Sequence, residues 1–371
     1  MRVLVVTHYY PKHGGGIEIV AGELARRLVG RGIEVTWAAT DEQAPAEPDG
    51  IERWPVSAWN VTESALGFPY PLWSPLSLLQ LEQLVRSCDV LHLHDSLYLG
   101  NVVAYLWARR HGKPVIVTQH VGPIPYKSPL LRGMLGLANR TLARLVLSGS
   151  EQAVFISPRV ETYFRGLFRF KQHPLYVPNG VDTHRFTPVG ASERLALRTR
   201  FGWPRERKVR LFVGRFVEKK GLPFLRELAA ARPQDLWVFV GHGTDDPARW
   251  RLSNVVSVGK LPQAAIADYY RAADTLVLPS VGEGFPLVVQ EAMASGLPAL
   301  ISTETMEGAP DAVGFIRCAD LEIPAWHAAL DKLDELGDSQ RAGVAEFARR
   351  WSWDEVAERF VSLYESLRAA S

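Results

Sequence analysis

The chain has 371 residues, with 42 Lys and Arg against 40 Asp and Glu, a formal net charge of +2 and 47% hydrophobic residues. That length favours two domains or more, each with a real core, and the near-even charge excludes the strongly basic pattern of a polyanion binder. The two cysteines, Cys88 and Cys318, stand in opposite halves, which excludes a disulfide framework or a zinc pattern.

Short apolar runs alternate with helical patterns from the first residues onward. In the first half, strands are predicted at Arg2–Thr7, Glu34–Ala39, Val90–His94, Pro114–Gln119, Ala153–Ser157 and Leu175–Val177. Helices are predicted at Glu18–Arg31, Pro75–Ser87, Leu97–His111 and Leu130–Leu147. The first of these carries Ile17, Val20, Ala21, Leu24, Ala25 and Leu28 at helical spacing. The opening apolar run, ended by His8, is too short for a signal peptide and lacks a cleavage site. No window approaches the ~18 apolar residues of a spanning helix. The expectation is a cytoplasmic protein that at most rests on the inner face of a membrane.

The turn-rich segment Pro178-Asn179-Gly180-Val181-Asp182 marks a domain boundary, and Thr183 to Arg207 reads as polar and irregular. Second-half strands are predicted at Val209–Val213, Leu236–Val240, Val255–Val258, Thr275–Leu278, Ala299–Ile301 and Gly314–Arg317. Helices are predicted at Leu222–Ala231, Ala264–Ala272 and Leu287–Ser295. The segment Arg349 to Asp354 separates the last two helices, with Ser352 able to cap the final one. Continuous apolar strands alternating with helices mean parallel sheets covered on both faces. Two such blocks mean two doubly wound α/β domains.

Open α/β sheets place ligands beyond the carboxyl ends of their strands, so the residues there carry the chemical argument. The first strand runs into Gly14-Gly15-Gly16, which reads either as a surface turn or as a loop whose N–H groups meet an anion. Its spacing is not the dinucleotide fingerprint. His92, His94 and Asp95 end one strand and His120 the next. His92 reads as a core histidine, His94 and Asp95 as lining a site, and three metal ligands at a fixed geometry are not evident. Gly214-Arg215 and Lys220 place two cations after a parallel strand, fitting either a solvated basic turn or a diphosphate. Gly241-His242-Gly243 is either a tight turn or a base or phosphate contact. The stretch Leu130 to Leu145, with Arg132, Arg140 and Arg144, is amphipathic and basic. It reads as an ordinary surface helix with a buried apolar face, or as one lying on an anionic bilayer.

The densest signal is Glu283-Gly284-Phe285-Pro286-Leu287-Val288-Val289-Gln290-Glu291. Glu283 falls in a strand-to-helix loop and Glu291 about one turn into the helix. The helix N-terminus between them offers unpaired N–H groups to a phosphate. Two acids bracketing a phosphate site suit a ligand with hydroxyls at both ends, which a sugar nucleotide is.

In this order and spacing the motifs resemble the retaining glycosyltransferases of family 4, the group 1 family with the GT-B fold. The resemblance spans nearly the whole chain. It implies two Rossmann-like domains facing a cleft: residues 1–180, joined by the C-terminal helix 353–371, on the acceptor side, and 181–352 holding a nucleotide sugar. It implies that Glu291 binds ribose hydroxyls and that Glu283 faces the transferred sugar, aided by backbone at Gly284, Phe285, Pro286 and Leu287. It further implies Arg215, Lys220, Gly15 and Gly16 at the diphosphate, His120 beside the donor sugar and Gly243 near the nucleotide. No cofactor is implied beyond a UDP-sugar or GDP-sugar donor, and no metal, in keeping with the absence of an Asp-x-Asp motif. The implied acceptor is a glycan or a lipid-linked precursor, and the implied setting bacterial cell-envelope glycan synthesis, without nucleic acid. Pro286 replaces a common glycine, and Glu304-Thr305-Met306-Glu307-Gly308 replaces the usual Gly-Gly step. A sugar-nucleotide epimerase and a non-catalytic binding subunit remain rival readings at this level.

Overall fold

The computed structural model describes residues 1–13, 15–40, 49–60, 70–122, 129–281 and 284–370. Gly14 and Glu283, both singled out above, lie outside the described residues. The chain divides into two compact units, Met1–Gly180 with Trp353–Ser371, and Val181–Ser352.

In the first unit, β1 (Arg2–Val6) leads through α1 (Gly16–Val29) to β2 (Glu34–Thr40) and β3 (Glu52–Val56). A short antiparallel pair, β4 (Ala58–Trp59) and β5 (Leu72–Trp73), precedes α2 (Pro75–Ser87). Then come β6 (Val90–His94), α3 (Leu99–Arg110), β7 (Val115–Gln119) and α4 (Pro129–Ala138). A π-helical turn at Asn139–Ala143 joins α4 to α5 (Arg144–Gly149), followed by β8 (Gln152–Phe155), α6 (Pro158–Arg165) and β9 (Leu175–Tyr176). Seven strands make one sheet in the order β3-β2-β1-β6-β7-β8-β9, and its pairings are parallel. Val3 to Val6, Val90, Leu91, Leu93 and Val115 to Val117 are buried, as a sheet covered on both faces requires. The C-terminal helix, Trp353–Ala369, returns to this unit and buries Val356, Phe360 and Tyr364. Its Tyr364 hydroxyl reaches His92 Nδ1 at 2.7 Å, while His92 Nε2 meets Thr118 Oγ1 at 2.7 Å. His92 is thus a core histidine with both ring nitrogens satisfied.

The second unit opens with α7 (Ala191–Arg200), β10 (Val209–Val213), α8 (Leu222–Ala231), β11 (Leu236–Val240) and β12 (Val255–Gly259). It continues through α9 (Gln263–Ala272), β13 (Thr275–Leu278), α10 (Leu287–Ala294), β14 (Ala299–Ser302) and α11 (Thr303–Met306). It ends with β15 (Arg317–Ala319), α12 (Ile323–Asp334) and α13 (Asp338–Ala348). The six strands are ordered β12-β11-β10-β13-β14-β15, in parallel pairings.

Several expectations need correction. The edge strand β3 was not anticipated, because Pro55 interrupts its apolar reading, and proline is tolerated only at such an edge. The stretch Thr183 to Arg207 is not irregular throughout, since it contains α7. Apolar periodicity could not reveal α7, whose buried residues are only Leu197 and Arg198. It is pinned instead by Arg194 and Arg198, both paired with the Asp274 carboxylate. The last strand begins at Arg317 rather than Gly314, which takes a positive φ of 97° in the preceding turn.

Arg210, on the central strand β10, is wholly enclosed. Its guanidinium donates to Asp235 Oδ2 at 2.8 Å, Thr275 Oγ1 at 3.0 Å, and Asp334 Oδ1 and Oδ2 at 2.8 and 2.7 Å. This single side chain joins the starts of β11 and β13 to the end of α12. Removing one partner of a buried ion cluster strands the other charges and costs about 3–5 kcal/mol. Arg210→Ala should lower the stability of the second unit by that amount, read by urea unfolding followed at its tryptophans. A loss comparable to that of a surface arginine would show that the cluster does not hold the unit.

Candidate active site

Strand order in the first unit reverses between β1 and β6, where the chain leaves one flank of the sheet and starts the other. Ligands of open α/β sheets sit at such a switch point. The residues that end β1, β6 and β7 therefore share one edge. His8, after β1, is buried and stacks on Tyr98 with ring centroids 3.9 Å apart and planes at 5°. Its Nε2 lies 2.9 Å from Glu18 Oε1. Glu18 is 1% exposed, in the first turn of α1. Gly15, the extended residue capping α1, lies directly over it: a Cβ there would fall 2.1 Å from Glu18 Oε2. Gly16 opens α1 and is exposed. The predicted glycines thus stand at a helix N-terminus whose inner side holds a buried carboxylate.

His94 and Asp95 end β6. His94 Nδ1 meets His120 Nε2 at 2.9 Å, with nearly parallel rings. Asp95 adopts a left-handed φ of 69°, which Asp tolerates better than most residues. Its Oδ1 accepts from Gln119 Nε2 at 2.5 Å and from the amides of His120 and Val121 at 3.1 and 3.2 Å. Asp95 therefore clamps the turn that carries His120. Its Oδ2 and His94 Nε2 are buried with no hydrogen-bond partner among the described residues. Burial pushes the imidazoles of His92 and His120 down to about 3 and that of His94 well below its ordinary value. Burial raises the Asp95 carboxyl to about 6, against the amides that favour its ionised form. At neutral pH the histidines are uncharged hydrogen-bonding groups, and Asp95 sits close to its titration.

The second unit reverses order between β10 and β13. Arg215 is exposed in the loop after β10, and Lys220 half-buried at its end. That loop lies against its neighbours on both sides. Phe216 N donates to His242 O at 2.7 Å, and Phe216 pairs with Gly243 as an isolated bridge. On the other side Val281 N donates to Lys219 O at 3.0 Å. A Cβ at Gly241 would fall 1.8 Å from Gly214 O, and one at Gly243 2.2 Å from Phe216 O. Tight backbone approach thus accounts for both glycines.

After β13 the chain reaches Gly284, then the buried Phe285, whose ring meets Trp351 edge-on at 4.8 Å. Pro286 caps α10 from an extended conformation and Leu287 is its first helical residue. The free N–H groups of this helix start lie beside the Arg215 and Lys220 loop because β10 and β13 are hydrogen-bonded neighbours. Glu291, 7% exposed, accepts from Gln263 Nε2 and from the Tyr270 hydroxyl, each at 2.9 Å. Burial raises its carboxyl above the ordinary value, opposed by those two donors. Both oxygens retain lone pairs for further donors.

The segment that departs from the expected Gly-Gly step forms α11, capped by Ser302 Oγ accepting from Thr305 N at 3.2 Å. Ser302 Oγ and Thr305 Oγ1 also donate to Ser280 O at 2.6 and 3.0 Å. Gly308 then lies so close to the β13 loop that a Cβ would fall 1.9 Å from Gly284 O. Sequence reasoning missed His8, Glu18, Gln263 and Tyr270. Glu18 had a signal, a carboxylate on the same helical stripe as Ala21 and Ala25. Gln263 and Tyr270 had none, since only the packing of α9 on α10 brings them to Glu291. Among the described residues no group of three or more His, Cys, Asp or Glu side chains is arranged to hold a metal ion.

Residues 14–185 match Glycosyltransferase Family 4, and residues 207–333 match Glycosyl transferases group 1. D-inositol 3-phosphate glycosyltransferase 2 of Catenulispora acidiphila is 30% identical over 99% of this chain and 96% of its own. The GDP-mannose-dependent monoacylated alpha-(1-6)-phosphatidylinositol monomannoside mannosyltransferase of Corynebacterium glutamicum is 25% identical over 98% of each chain. Among solved structures, HepE of Anabaena in complex with UDP superposes with a TM-score of 0.78 at 17% identity, over 98% of this chain and 99% of that one. The fold is GT-B, with two Rossmann-like units.

The buried imidazoles make stability pH-dependent. Below about pH 6.5 the unfolded chain binds protons at histidines that the folded chain leaves neutral, so stability falls with acid. Asp95 acts oppositely, because its raised value favours the folded state as pH falls through about 6. Three histidines outweigh it. The melting temperature should drop from about pH 6.5 towards 4.5, and His92→Gln should flatten that slope; a parent profile that is level or rises on acidification rejects neutral buried imidazoles. A second outcome concerns the β13 loop. Gly308→Ala should displace Gly284, costing about 1–3 kcal/mol and most of the turnover. Gly343→Ala, whose Cβ meets nothing within 4 Å, should do neither. Equal turnover in the two variants would remove the Gly308 contact from the site.

Proposed function

The chain belongs to glycosyltransferase family 4, the group 1 glycosyltransferases, and from that premise we propose that it moves a sugar from a UDP-sugar or GDP-sugar to an acceptor hydroxyl, with retention of anomeric configuration and without a metal. The acceptor is a glycan or a glycan precursor carried on a lipid, in bacterial cell-envelope synthesis. The observation that carries this reading is the meeting, at the β10–β13 reversal, of two cationic side chains, a helix N-terminus and a buried carboxylate with lone pairs to spare.

Each part then has a task. Arg215 and Lys220 bind the diphosphate, together with the N–H groups at the start of α10 and the glycine loop at Gly15 and Gly16. Glu291, ionised and oriented by Gln263 and Tyr270, accepts from the ribose hydroxyls. Glu283 faces the transferred sugar, supported by the amides of Gly284, Phe285 and Leu287; Pro286 has none to offer. Gly243 lies near the nucleotide. His120, neutral at working pH, hydrogen-bonds to the donor sugar, and His94 and Asp95 face the acceptor.

In the reaction the bond from the anomeric carbon to the phosphate oxygen breaks. Negative charge grows on the leaving diphosphate, where the two cations and the helix terminus stabilise it. The acceptor oxygen forms its bond on the same face, and its proton passes to the departing phosphate oxygen, so no separate nucleophilic carboxylate is required. Exclusion of water protects the step, since hydrolysis competes. The lipid-borne acceptor has support from the relative of Corynebacterium glutamicum, whose name specifies an acylated phosphatidylinositol mannoside and GDP-mannose. The solved complex of HepE with UDP favours uridine instead.

Nucleotide binding is the direct test. A ligand held only by the folded state at 100 times its Kd adds about 2.7 kcal/mol of stability. UDP or GDP, without added metal, should therefore raise the melting temperature of the parent. Glu291→Ala should abolish that shift, whereas Glu283→Ala should keep it and lose transfer. A shift that survives in Glu291→Ala, or full turnover in Glu283→Ala, contradicts the role given to that residue.

A further inference from the structure

The first unit displays an apolar stripe that an ordinary surface helix would bury. Leu130, Met134 and Leu137 follow the i, i+4, i+7 spacing of one helical face, and they project to solvent along α4. Leu145 in α5 continues them. The four are between 45% and 72% exposed. The π-helical turn at Asn139–Ala143 explains the continuation. One α-turn plus one widened turn takes about eight residues, the separation of Leu137 from Leu145, so the two side chains return to the same face. The opposite side of the segment, with Asn139, Ala143, Val146 and Leu147, is buried and fastens it to the unit. The expectation of an ordinary surface helix with a hidden apolar face is thereby overturned.

Charge identifies the occupant. Arg132, Arg140 and Arg144 are exposed along the same segment, and no Asp or Glu occurs from Pro129 to Ser150. A symmetric contact with a second copy would set this patch against itself, bringing like charges together with no acid to neutralise them. An anionic bilayer answers both features: acyl chains receive the leucines and methionine, and headgroup phosphates meet the arginines. No helix among the described residues is long and apolar enough to cross a membrane, so the contact lies along the surface. We propose that the α4–α5 face docks the first unit on an anionic lipid surface. The inference goes beyond the transfer reaction and needs no donor, so its failure leaves the proposed chemistry standing, and the converse also holds.

The test is flotation of the purified full chain with vesicles of phosphatidylcholine alone or mixed with phosphatidylglycerol, at low and raised salt and without nucleotide. Binding should favour the anionic vesicles by about tenfold or more and weaken as salt screens the arginines. Met134→Ser with Leu137→Ser should abolish flotation on either vesicle. Arg140→Gln with Arg144→Gln should remove the preference for the anionic one. Both pairs should keep the parent's melting temperature, which separates lost docking from lost folding. No flotation of the parent at low salt would overturn the proposal, as would flotation of both variants at the parent's level. So would a parent that elutes as a dimer which the serine pair converts to monomer.

Discussion

The structure depends above all on how closely the backbone loops crowd the carboxyl edge of the second sheet. The loop after β10 touches those after β11 and β13, so a side chain at Gly241 or Gly243 would overlap a carbonyl oxygen at 1.8 or 2.2 Å. Such an approach leaves no room for any residue with a Cβ. What it achieves is positional. Arg215 and Lys220 hang from a loop braced on both sides, and the start of α10 is held by its own contacts, Ser302 and Thr305 donating to Ser280 O and Gly308 lying on Gly284. A phosphate site built this way has its donors set before the ligand arrives, which spares the reorganisation that weakens electrostatic stabilisation.

The two units handle charge in opposite ways. The first buries ionisable groups and neutralises them: three histidines lose their protons, and Asp95 is driven towards neutrality. The second keeps charge and pairs it. Arg210 is surrounded by Asp235 and Asp334, and Asp274 remains ionised despite burial because Arg194 and Arg198 face it. An edge lined by uncharged imidazoles suits sugar hydroxyls, which both donate and accept. An edge with free cations and helix N–H groups suits a diphosphate. The chemical division proposed for the two halves thus follows from where burial is compensated and where it is not.

Much of this was legible in the residues themselves. The interior strands announced themselves as unbroken apolar runs such as Val3–Val6 and Leu276–Leu278, and the doubly wound class followed from their alternation with helices. What escaped was held by interactions that leave no apolar period: α7, tied down by an arginine pair, and β3, an edge strand carrying a proline. In the site, residue types that bring their own chemistry were visible, because Glu291, Arg215 and His120 stand at strand or helix ends. Their orienting partners were not. Gln263 and Tyr270 lie 28 and 21 residues from Glu291, and only the tertiary fold joins them. Glu283 was equally visible, but it falls outside the described residues and its role rests on chemistry alone.

Periodicity could name the stripe at Leu130, Met134 and Leu137 but not what it faces, since a buried and an exposed stripe have the same spacing. The extra residue of the π-helical turn also hides the alignment of Leu145 from any fixed period. Exposure decides the matter, and connectivity gives it meaning. Pro129 begins α4 nine residues after His120, which ends β7. A chain extends at most about 3.6 Å per residue, so the start of the docking helix stands within roughly 32 Å of the imidazole assigned to the sugar. That reach is about the thickness of a bilayer's hydrocarbon core. An enzyme whose acceptor hydroxyl belongs to a lipid headgroup needs its reacting edge near the headgroup plane, and a helix leashed to the same strand as His120 enforces that limit through covalent structure alone.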